Sequence, residues 1–328
     1  MAAKLMNAIQ YSRYGGGTTA LKRVKIAVPD PKADEVLLKV EAVSLNAFDW
    51  KIQKGIPRPI LPGKFPYVPG TDVAGEVVKV GSSATKFKAG DKVLALLSHA
   101  TGGALAEYTV AKENMTVAKP PEVSVAEGAG LPLAALTAHT AVTHANIKLD
   151  GSGETKNVLI TAASGGVGHY AVQIAKLGNT HVTATCGARN LEFVKGLGAD
   201  EVLDYKTPEG ASLRSPSGKK YEYVIHCAMD IPWATFALNL SETGKVIDLT
   251  PGLGTMIRFA TQKLTFSKKQ LVPLILSPKT ENFEYVVNLA KEGKLKTVID
   301  SKYPWSKAED AWSRIISGHA MGKVIIEF

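Results

Sequence analysis

The chain has 328 residues, of which 45% are hydrophobic and 21% charged, the composition of a globular protein with one large domain or two ordinary ones. No run reaches the ~18 to 20 apolar residues of a spanning helix, and two cysteines are too few for a disulfide framework or a four-cysteine zinc lobe. Lysine and arginine exceed aspartate and glutamate by 39 − 30 = 9, which favours phosphorylated cofactors, anionic lipid surfaces or nucleic acid as partners. Because the basic residues are scattered and lie outside aromatic-rich strands, we expect no nucleic-acid partner.

The first third of the chain predicts a mainly β domain. Residues 1–9 lack an apolar core segment and an Arg/Ser-rich amphipathic pattern, so we expect no cleaved targeting peptide. Short β-runs separated by Gly, Pro and Asp turns then follow, at residues 35–43, 73–81, 93–96 and 106–110. This spacing predicts a small barrel or sandwich.

Beyond Ser124 the pattern changes to strands that alternate with helices. An alanine-rich helical stretch covers residues 126–146, and helices are predicted over 170–178 and 190–197. The predicted strands are residues 157–161, 181–185, 201–205, 223–227 and 245–249. Such alternation indicates right-handed βαβ crossovers and a parallel sheet whose ligand lies beyond the carboxyl ends of the strands. After residue 267 we predict helices at 282–292 and 307–317, a strand at 297–299, and a closing strand at 323–328 that returns to the first domain.

A turn of small residues between the first strand and its helix predicts a dinucleotide site. Ala163, Gly165 and Gly168 occupy the three positions of the GxGxxG pattern. A turn with few side chains lets a pyrophosphate approach the backbone and rest on the positive end of the helix. We expect the cofactor contacts of this turn to come from Ser164, Gly165, Gly166, Val167 and Gly168.

The end of the second strand favours NADPH over NADH. It reads Thr185-Cys186-Gly187-Ala188-Arg189, without the carboxylate that binds a ribose 2′-hydroxyl. Arg189 can hold a 2′-phosphate bidentately, with the Cys186 and Gly187 backbone and the Tyr205 hydroxyl nearby. The plainer alternatives are a solvated helix-start arginine and a packing tyrosine.

A set of motifs spread over the chain is typical of one known family, namely residues 42–46 with Asp49, then 69–77, 90–93, 103–108, 136–141, 162–168 and 197–200. Through these motifs the chain resembles the medium-chain dehydrogenase/reductase superfamily over its full length, in the zinc-free quinone-oxidoreductase branch related to zeta-crystallin. The resemblance implies an α/β fold, with a doubly wound Rossmann sheet at 126–267 that binds NADPH. It also implies a mainly β, GroES-like substrate domain at 1–125 and 268–328.

Within this branch, the chain is similar in particular to plant members. This similarity implies a peripheral location on the chloroplast inner envelope membrane, without a cleaved leader. Because family members are commonly dimers, we expect a monomer or homodimer. Peripheral contact with an anionic membrane also fits the net charge, although no amphipathic lipid-inserting helix is evident in the sequence.

The sequence argues against a catalytic zinc ion. Such a site needs three Cys, His or Glu ligands and an open position. Where zinc alcohol dehydrogenases of the superfamily carry Cys and His-Glu, this chain has Asn46 and Thr71-Asp72, and no cysteine precedes residue 186.

Without a Lewis acid, a conjugated acceptor is easier to reduce than an isolated carbonyl, because the developing anion is delocalised. We therefore predict an NADPH-dependent oxidoreductase that delivers hydride to the activated C=C of α,β-unsaturated carbonyls such as alkenals, long-chain enones and oxylipin-type ketones. The alternatives are an NADPH:quinone reductase and, in another class, a non-catalytic NADPH-binding protein at a membrane surface.

The family motifs assign residues to this chemistry. Asn46 is the first candidate donor near the nicotinamide and the substrate oxygen, although it could simply stabilise a turn. Asp49 and Lys51 flank it, and Lys51 or solvent supplies the proton because the tyrosine of many relatives is absent. Further cofactor contacts are expected from Thr137 in the Leu-Thr-Ala turn, from the strand-end residues Cys227, Leu249 and Thr250, and from Lys323 in the C-terminal segment. The apolar segment 254–266 lines a substrate pocket or a dimer interface.

Overall fold

The computed structural model describes residues 4–61 and 63–328. Residues 1–3 and Pro62, which belong to the predicted first domain, lie outside the described residues. The chain forms two compact units, one of residues 1–136 with 278–328 and the other of residues 137–277. Within the described ranges, no helix combines the length and apolar character needed to span a bilayer.

The strands are β1 (Leu5–Gln10), β2 (Lys22–Ala27), β3 (Glu35–Leu45), β4 (Asp72–Val80), β5 (Lys92–Leu96), β6 (Tyr108–Lys112), β7 (Thr116–Ala118), β8 (Lys156–Ile160), β9 (Thr180–Cys186), β10 (Glu201–Asp204), β11 (Tyr221–His226), β12 (Leu240–Asp248), β13 (Gln270–Pro273), β14 (Ile299–Pro304) and β15 (Lys323–Glu327). The α-helices are α1 (Ala47–Lys54), α2 (Val125–Ala129), α3 (Pro132–His144), α4 (Gly168–Ala175), α5 (Leu191–Gly196), α6 (Pro208–Ala211), α7 (Trp233–Asn239), α8 (Leu253–Leu264), α9 (Thr280–Lys291) and α10 (Ala308–Ile316). Single 3₁₀ turns lie at Gly17–Ala20, Glu113–Met115, Ala188–Asn190 and Trp305–Lys307.

The unit boundaries lie about ten residues beyond the predicted ones, at 136 and 278 rather than 125 and 268. Helix α2 packs against β3 and β4 and therefore belongs to the first unit, although its alanine-rich sequence suggested the nucleotide domain. Strand β13 pairs with β12 and extends the second unit past residue 267. Pairing partners that are distant in sequence decide both boundaries, and composition does not show them.

The first unit is mainly β. Its larger sheet has the order β14-β15-β3-β4-β5-β7, with β6 paired to β3, and β1 and β2 form a separate antiparallel pair. Strand β15 runs antiparallel to β3, with Val324 opposite Leu45. The prediction that the closing strand returns to the first domain is confirmed.

Helix α10 closes the core of the first unit with Trp312, which is fully buried. Its indole Nε1 donates a hydrogen bond to Gln53 Oε1 of α1 at 3.2 Å. A buried indole needs such a partner, because an unpaired N–H in an apolar core is costly. The contact ties the C-terminal segment to the helix that follows β3.

The second unit is a doubly wound parallel sheet, as predicted, with the strand order β10-β9-β8-β11-β12-β13. Buried runs such as Val158 to Ile160 fill its central strands, as expected for strands covered on both faces. The strand order reverses beside β8, because the chain continues to β9 on one side and returns to β11 on the other. Ligands of such sheets bind at this switch point, beyond the carboxyl ends of the strands.

We expect Trp312→Ala to destabilise the protein by about 3–5 kcal/mol, because it opens a cavity in the first unit's core and leaves Gln53 without its indole partner. Urea unfolding followed by circular dichroism measures the loss. Trp312→Phe, which keeps most of the volume, should cost less, and Ile60→Ala at a 94% exposed position should cost almost nothing. Equal stability of Trp312→Ala and wild type would contradict the role given to this side chain.

Candidate active site

Asn46 lies in the first unit, between the end of β3 and the start of α1. Its backbone is extended, and it is the residue that caps the helix. The Asn46 N–H donates to Asp49 Oδ2 at 2.7 Å, and the Asp49 N–H donates to the Asn46 carbonyl at 3.0 Å. A carboxylate three residues into a helix commonly satisfies the cap in this way. The local sequence therefore holds the Asn46 backbone rigidly.

The Asn46 side chain is fixed by two ionic neighbours. Its Nδ2 donates to Asp72 Oδ2 at 2.9 Å, and its Oδ1 accepts from Lys323 Nζ at 2.5 Å. An ammonium can only donate and a carboxylate can only accept, so the pair determines which way the amide points. Among the described residues, the second Nδ2 hydrogen has no acceptor, which leaves it available to a substrate oxygen.

Burial sets the electrostatics of this cluster. Lys323 is 1% exposed, Asp72 0% and Asp49 2%. Burial raises the pKa of Asp49 to about 7 and that of Asp72 to about 6, while the Lys323 ammonium pulls both values down. Burial also lowers the pKa of Lys323, against the two carboxylates. Removal from water thus outweighs pairing for each of the three groups.

Two further contacts complete the cluster. Asp72 Oδ2 lies 3.6 Å from Lys323 Nζ, and Asp72 Oδ1 accepts from the Leu133 N–H at 3.0 Å. Leu133 lies in the first turn of α3, at the positive end of the helix dipole, which favours an anion. Beside Asp72, the Thr71 hydroxyl is buried and has no hydrogen-bond partner among the described residues.

The structure thus brings Asn46, Asp49 and Lys323 of the predicted site residues together. Lys51 lies two residues after Asp49 on α1 and is half-buried. Sequence reasoning missed the partnership of Asp72 with Lys323, which are 251 positions apart and meet only because β15 pairs with β3.

The residues of this cluster do not fit a zinc ion. An ammonium occupies the centre of the cluster, with an amide oxygen and a carboxylate as its neighbours. Across residues 4–61 and 63–328, no three His, Cys, Asp or Glu side chains are grouped as metal ligands. A tetrahedral zinc site requires such a group.

In the second unit, the glycine turn between β8 and α4 has the geometry of an anion cradle. A Cβ on Gly168 would lie 2.3 Å from the Ala162 carbonyl oxygen, so only glycine fits there. In the described part of the chain, the N–H groups of Gly166, Val167 and Gly168 donate no hydrogen bond. Such N–H groups at a helix start can bind a pyrophosphate. Residues 164–167, including Gly165, are half-exposed.

The turn is braced by Asn190, whose Nδ2 donates to Ser164 Oγ at 3.0 Å. Asn190 lies in the segment that follows β9, beside the predicted 2′-phosphate site. Sequence reasoning missed this contact, which links the glycine turn to the segment of the predicted 2′-phosphate site. It also shows that the Ser164 hydroxyl accepts a protein hydrogen bond.

The predicted 2′-phosphate residues meet at the ends of β9 and β10. Arg189 is exposed and Tyr205 is 47% exposed, and a Cβ on Gly187 would touch the Tyr205 ring at 3.5 Å. The Cys186 carbonyl accepts from the Tyr205 N–H at 3.1 Å, and burial raises the pKa of the Cys186 thiol to about 11. Lys206, which sequence reasoning missed, has its ammonium 6.0 Å from the Tyr205 ring centre.

A second buried polar group lies at the carboxyl ends of β8 and β11. Thr161 Oγ1 is 3.0 Å from His226 Nδ1 and accepts from the Cys227 N–H at 3.0 Å. Burial lowers the pKa of His226, against the nearby Asp248 carboxylate. Burial also raises the pKa of the Cys227 thiol to about 12, which keeps it protonated. Thr161 and Asp248 were not foreseen from the sequence.

The remaining predicted cofactor residues lie at the same edge or on α3. The Leu249 N–H donates to the His226 carbonyl at 3.2 Å, and the Thr250 N–H donates to Asp248 Oδ1 at 2.9 Å. Thr137, which we expected in a turn, is half-buried in the middle of α3, because the alanine-rich sequence continues as a helix from Pro132 to His144. The edge is therefore pre-organised by hydrogen bonds that do not involve a ligand.

We expect the stability of the protein to depend on the ionisation of Asp49. Its pKa is raised on folding from the usual value near 4 to about 7. The contribution of protonated Asp49 to the free energy of unfolding is therefore fully present below pH 4, and it is lost as the pH rises to 7. Asp49→Asn should gain stability relative to wild type over that range by roughly 2–4 kcal/mol. Urea unfolding at pH 4, 5.5 and 7 measures this difference, and a constant difference would contradict it.

Two family descriptions match the chain. "Alcohol dehydrogenase GroES-like domain" matches residues 32–121, and "Zinc-binding dehydrogenase" matches residues 197–326. Among solved structures, the quinone oxidoreductase from Coxiella burnetii superposes with a TM-score of 0.88 and 30% sequence identity, covering 99% of this chain and 100% of that one. The expectation of a Rossmann sheet with a GroES-like mainly β domain is confirmed.

Relatives that align with nearly the whole chain indicate the branch of the family to which it belongs. "Quinone-oxidoreductase homolog, chloroplastic" of Spinacia oleracea is 78% identical, and "Chloroplast envelope quinone oxidoreductase homolog" of Arabidopsis thaliana is 66% identical, each over all of both chains. "NADPH-dependent alkenal/one oxidoreductase, chloroplastic" of Arabidopsis thaliana is 34% identical over 98% of this chain and 80% of its own. By homology this is a chloroplast protein. The chain belongs to the medium-chain dehydrogenase/reductase superfamily, as an NAD(P)H-dependent enzyme of its quinone oxidoreductase branch.

Proposed function

We propose that the protein is an NADPH:quinone reductase. The Asn46 amide carries the proposal, since Lys323 and Asp72 fix it with one N–H left for a carbonyl oxygen. The relatives at 78% and 66% identity carry quinone-oxidoreductase names, whereas the alkenal/one oxidoreductase is 34% identical. These identities favour a quinone reductase, whereas the sequence alone favoured an enone reductase.

NADPH bound in the second unit would supply the hydride. The N–H groups of Gly166, Val167 and Gly168 would hold its pyrophosphate, and Thr137, Cys227, Leu249 and Thr250 would contribute at the nicotinamide side. In the first unit, Asn46 Nδ2 donates to the substrate oxygen on which negative charge develops. A fixed donor costs no reorganisation during reaction, which is why one hydrogen bond is effective. The proton comes from Lys51 or solvent.

Asp49, Asp72 and Lys323 act on Asn46 rather than on the substrate. Their side chains are almost completely buried, and both Asn46 side-chain atoms are engaged by Asp72 and Lys323. We therefore reassign Lys323 from a direct cofactor contact to a positioning residue. Asp49 holds the backbone of the same asparagine.

Reduction of α,β-unsaturated carbonyls is the second candidate. The same Asn46 donor would stabilise an enolate oxygen formed by hydride addition to an activated C=C. The 34% identity to the alkenal/one oxidoreductase extends over 98% of the chain and favours this candidate. A non-catalytic NADPH-binding protein is the rival from another class, and turnover separates it from both enzymes.

We also propose that the chain prefers NADPH and associates peripherally with the chloroplast inner envelope membrane. Arg189, Tyr205 and Lys206 offer cationic and hydroxyl groups to a 2′-phosphate. The net charge of +9 and the envelope name of the 66% identical relative support the location. The protein is proposed to be a monomer or a homodimer, which sedimentation distinguishes.

The first experiment is NADPH oxidation by the purified protein with a quinone, a short alkenal, a long-chain conjugated ketone and a saturated ketone. We expect turnover of the quinone and none of the saturated ketone. Asn46→Ala should lower kcat/KM by about 10²- to 10³-fold, and Asn114→Ala, at an exposed asparagine of the same unit, should not. NADPH binding without turnover of any acceptor would favour the non-catalytic reading.

Cofactor preference is tested by Arg189→Ala. Loss of a charge-assisted bond to the 2′-phosphate should raise KM for NADPH by about 10- to 100-fold and leave KM for NADH nearly unchanged. Lys195→Ala, which removes an exposed cation from α5, is the matched control. An equal effect of Arg189→Ala on both cofactors would remove this residue from the phosphate site.

A further inference from the structure

Thr161 directly precedes the glycine turn, and its hydroxyl contacts three groups at the end of β11. Thr161 Oγ1 accepts a hydrogen bond from the Cys227 N–H at 3.0 Å and another from the Ala228 N–H at 3.2 Å, and it lies 3.0 Å from His226 Nδ1. The Thr161 side chain is completely buried. One hydroxyl therefore joins the carboxyl ends of β8 and β11, the two neighbouring strands at which the strand order reverses.

The hydrogen bonds of Thr161 determine which nitrogen of His226 carries a proton. A hydroxyl has one hydrogen and two acceptor lone pairs. The two backbone N–H groups occupy both lone pairs of Thr161 Oγ1, so its hydrogen must point at His226 Nδ1. Nδ1 is thus an acceptor, and the ring is neutral with its hydrogen on Nε2. Burial lowers the pKa of His226 and so favours the same neutral form.

The neighbours of His226 come from three elements. The Phe236 ring of α7 meets the imidazole edge to face, with 4.9 Å between the ring centres. Asp248 of β12 is the nearby carboxylate, and its Oδ2 accepts from the Thr255 hydroxyl of α8 at 2.7 Å. The thiol of the next residue, Cys227, stays protonated. Of these neighbours only Asp248 favours a charged ring, and burial outweighs it.

The residue after Thr161 has a strained backbone. Ala162 has a φ of 49°, in the left-handed region that residues with a Cβ avoid. Its N–H donates to Thr185 Oγ1 of β9 at 3.2 Å, and its carbonyl accepts from the Gly165 N–H at 3.0 Å. Such strain persists only where the surrounding structure holds it, and it is common at ligand sites. Thr161 fixes the end of β8 from which this turn begins.

We propose that Thr161 is a positioning residue for the dinucleotide, and that its bond to neutral His226 holds the end of β11 beside the glycine turn. This inference rests on the proposed function, because it takes that turn and Cys227 as contacts of NADPH. A protonated His226 would direct an N–H at Thr161 Oγ1, whose lone pairs are both occupied. The end of β11 would then move away from the turn. Cofactor affinity therefore depends on the Thr161 hydroxyl and on the charge of His226.

The first test measures the Kd of the full chain for NADPH at about pH 7.5, from the fluorescence of the bound nicotinamide. Thr161→Val, which keeps the side-chain shape without the hydroxyl, should raise Kd at least about tenfold. Thr161→Ser, which restores the hydroxyl, should stay within about threefold of wild type. The matched control is Thr180→Val at the amino end of β9, where a buried hydroxyl donates to the Ala175 carbonyl at 2.8 Å. This control should keep the wild-type affinity.

The second test follows the same Kd from about pH 8 to about pH 5. Wild type should bind more weakly as the pH falls, because a protonated His226 loses its bond to Thr161. His226→Asn, whose amide oxygen accepts from Thr161 and takes up no proton, should show a smaller loss. The 2′-phosphate of NADPH titrates with both proteins, so the difference between their profiles is the result that counts. His181→Asn, at the amino end of β9, should keep the wild-type profile.

Two results would overturn the inference. One is an equal Kd for Thr161→Val, Thr161→Ser and wild type, and the other is the same pH profile for His226→Asn and wild type. If Thr161→Val does not fold, the profile of His226→Asn decides. If the wild type binds no NADPH, the proposed cofactor is wrong and this inference falls with it. Neither measurement needs a quinone, so a failure of the proposed activity shows separately, in the NADPH oxidation assay.

Discussion

The hydrogen bond from the Lys323 ammonium to Asn46 Oδ1 is the interaction on which the proposed catalytic centre depends. It joins the last strand of the chain to the loop after β3, and Asp72 on β4 completes it. Taking an ammonium and a carboxylate out of water costs free energy, which their close pairing offsets only in part. The buried charges of this cluster fix the Asn46 amide in a single orientation.

A buried ammonium gives the first unit a different chemistry from a catalytic metal ion. Zinc polarises a carbonyl directly as a Lewis acid. Here the positive charge acts through an amide, which can offer only a hydrogen bond to a developing oxyanion. Such a donor suffices where the anion is delocalised, as in a quinone or an enone. The replacement of zinc ligands by Asn46 and Asp72 thus accounts both for the hydrogen-bond donors of the cluster and for the kind of acceptor that we propose.

In the second unit, the proposed cofactor site lies at the carboxyl ends of the parallel strands. At the carboxyl ends of β8, β9, β11 and β12, backbone N–H groups and small residues leave room for a dinucleotide. Buried hydrogen bonds of Thr161, Asp248 and Asn190 brace that edge. The Asp248 carboxylate also accepts a hydrogen bond from Thr255 of α8, so one buried group contacts both the proposed cofactor edge and that helix.

The sequence by itself determined the two-unit organisation, the parallel sheet, the glycine turn and the candidate residues Asn46, Asp49 and Arg189. The first three rest on local patterns, namely period and turn chemistry, and Arg189 rests on the residues that end the second predicted strand. Asn46 and Asp49 rest on motifs of the family that the chain resembles. Only the tertiary structure decided the unit boundaries, the pairing of Lys323 with Asp72 and the exposure of apolar side chains on α8. Each depends on which distant segments meet, since β15 must pair with β3 before Lys323 can reach Asn46. An apolar helix reads alike in sequence whether its neighbours cover it or leave it in water.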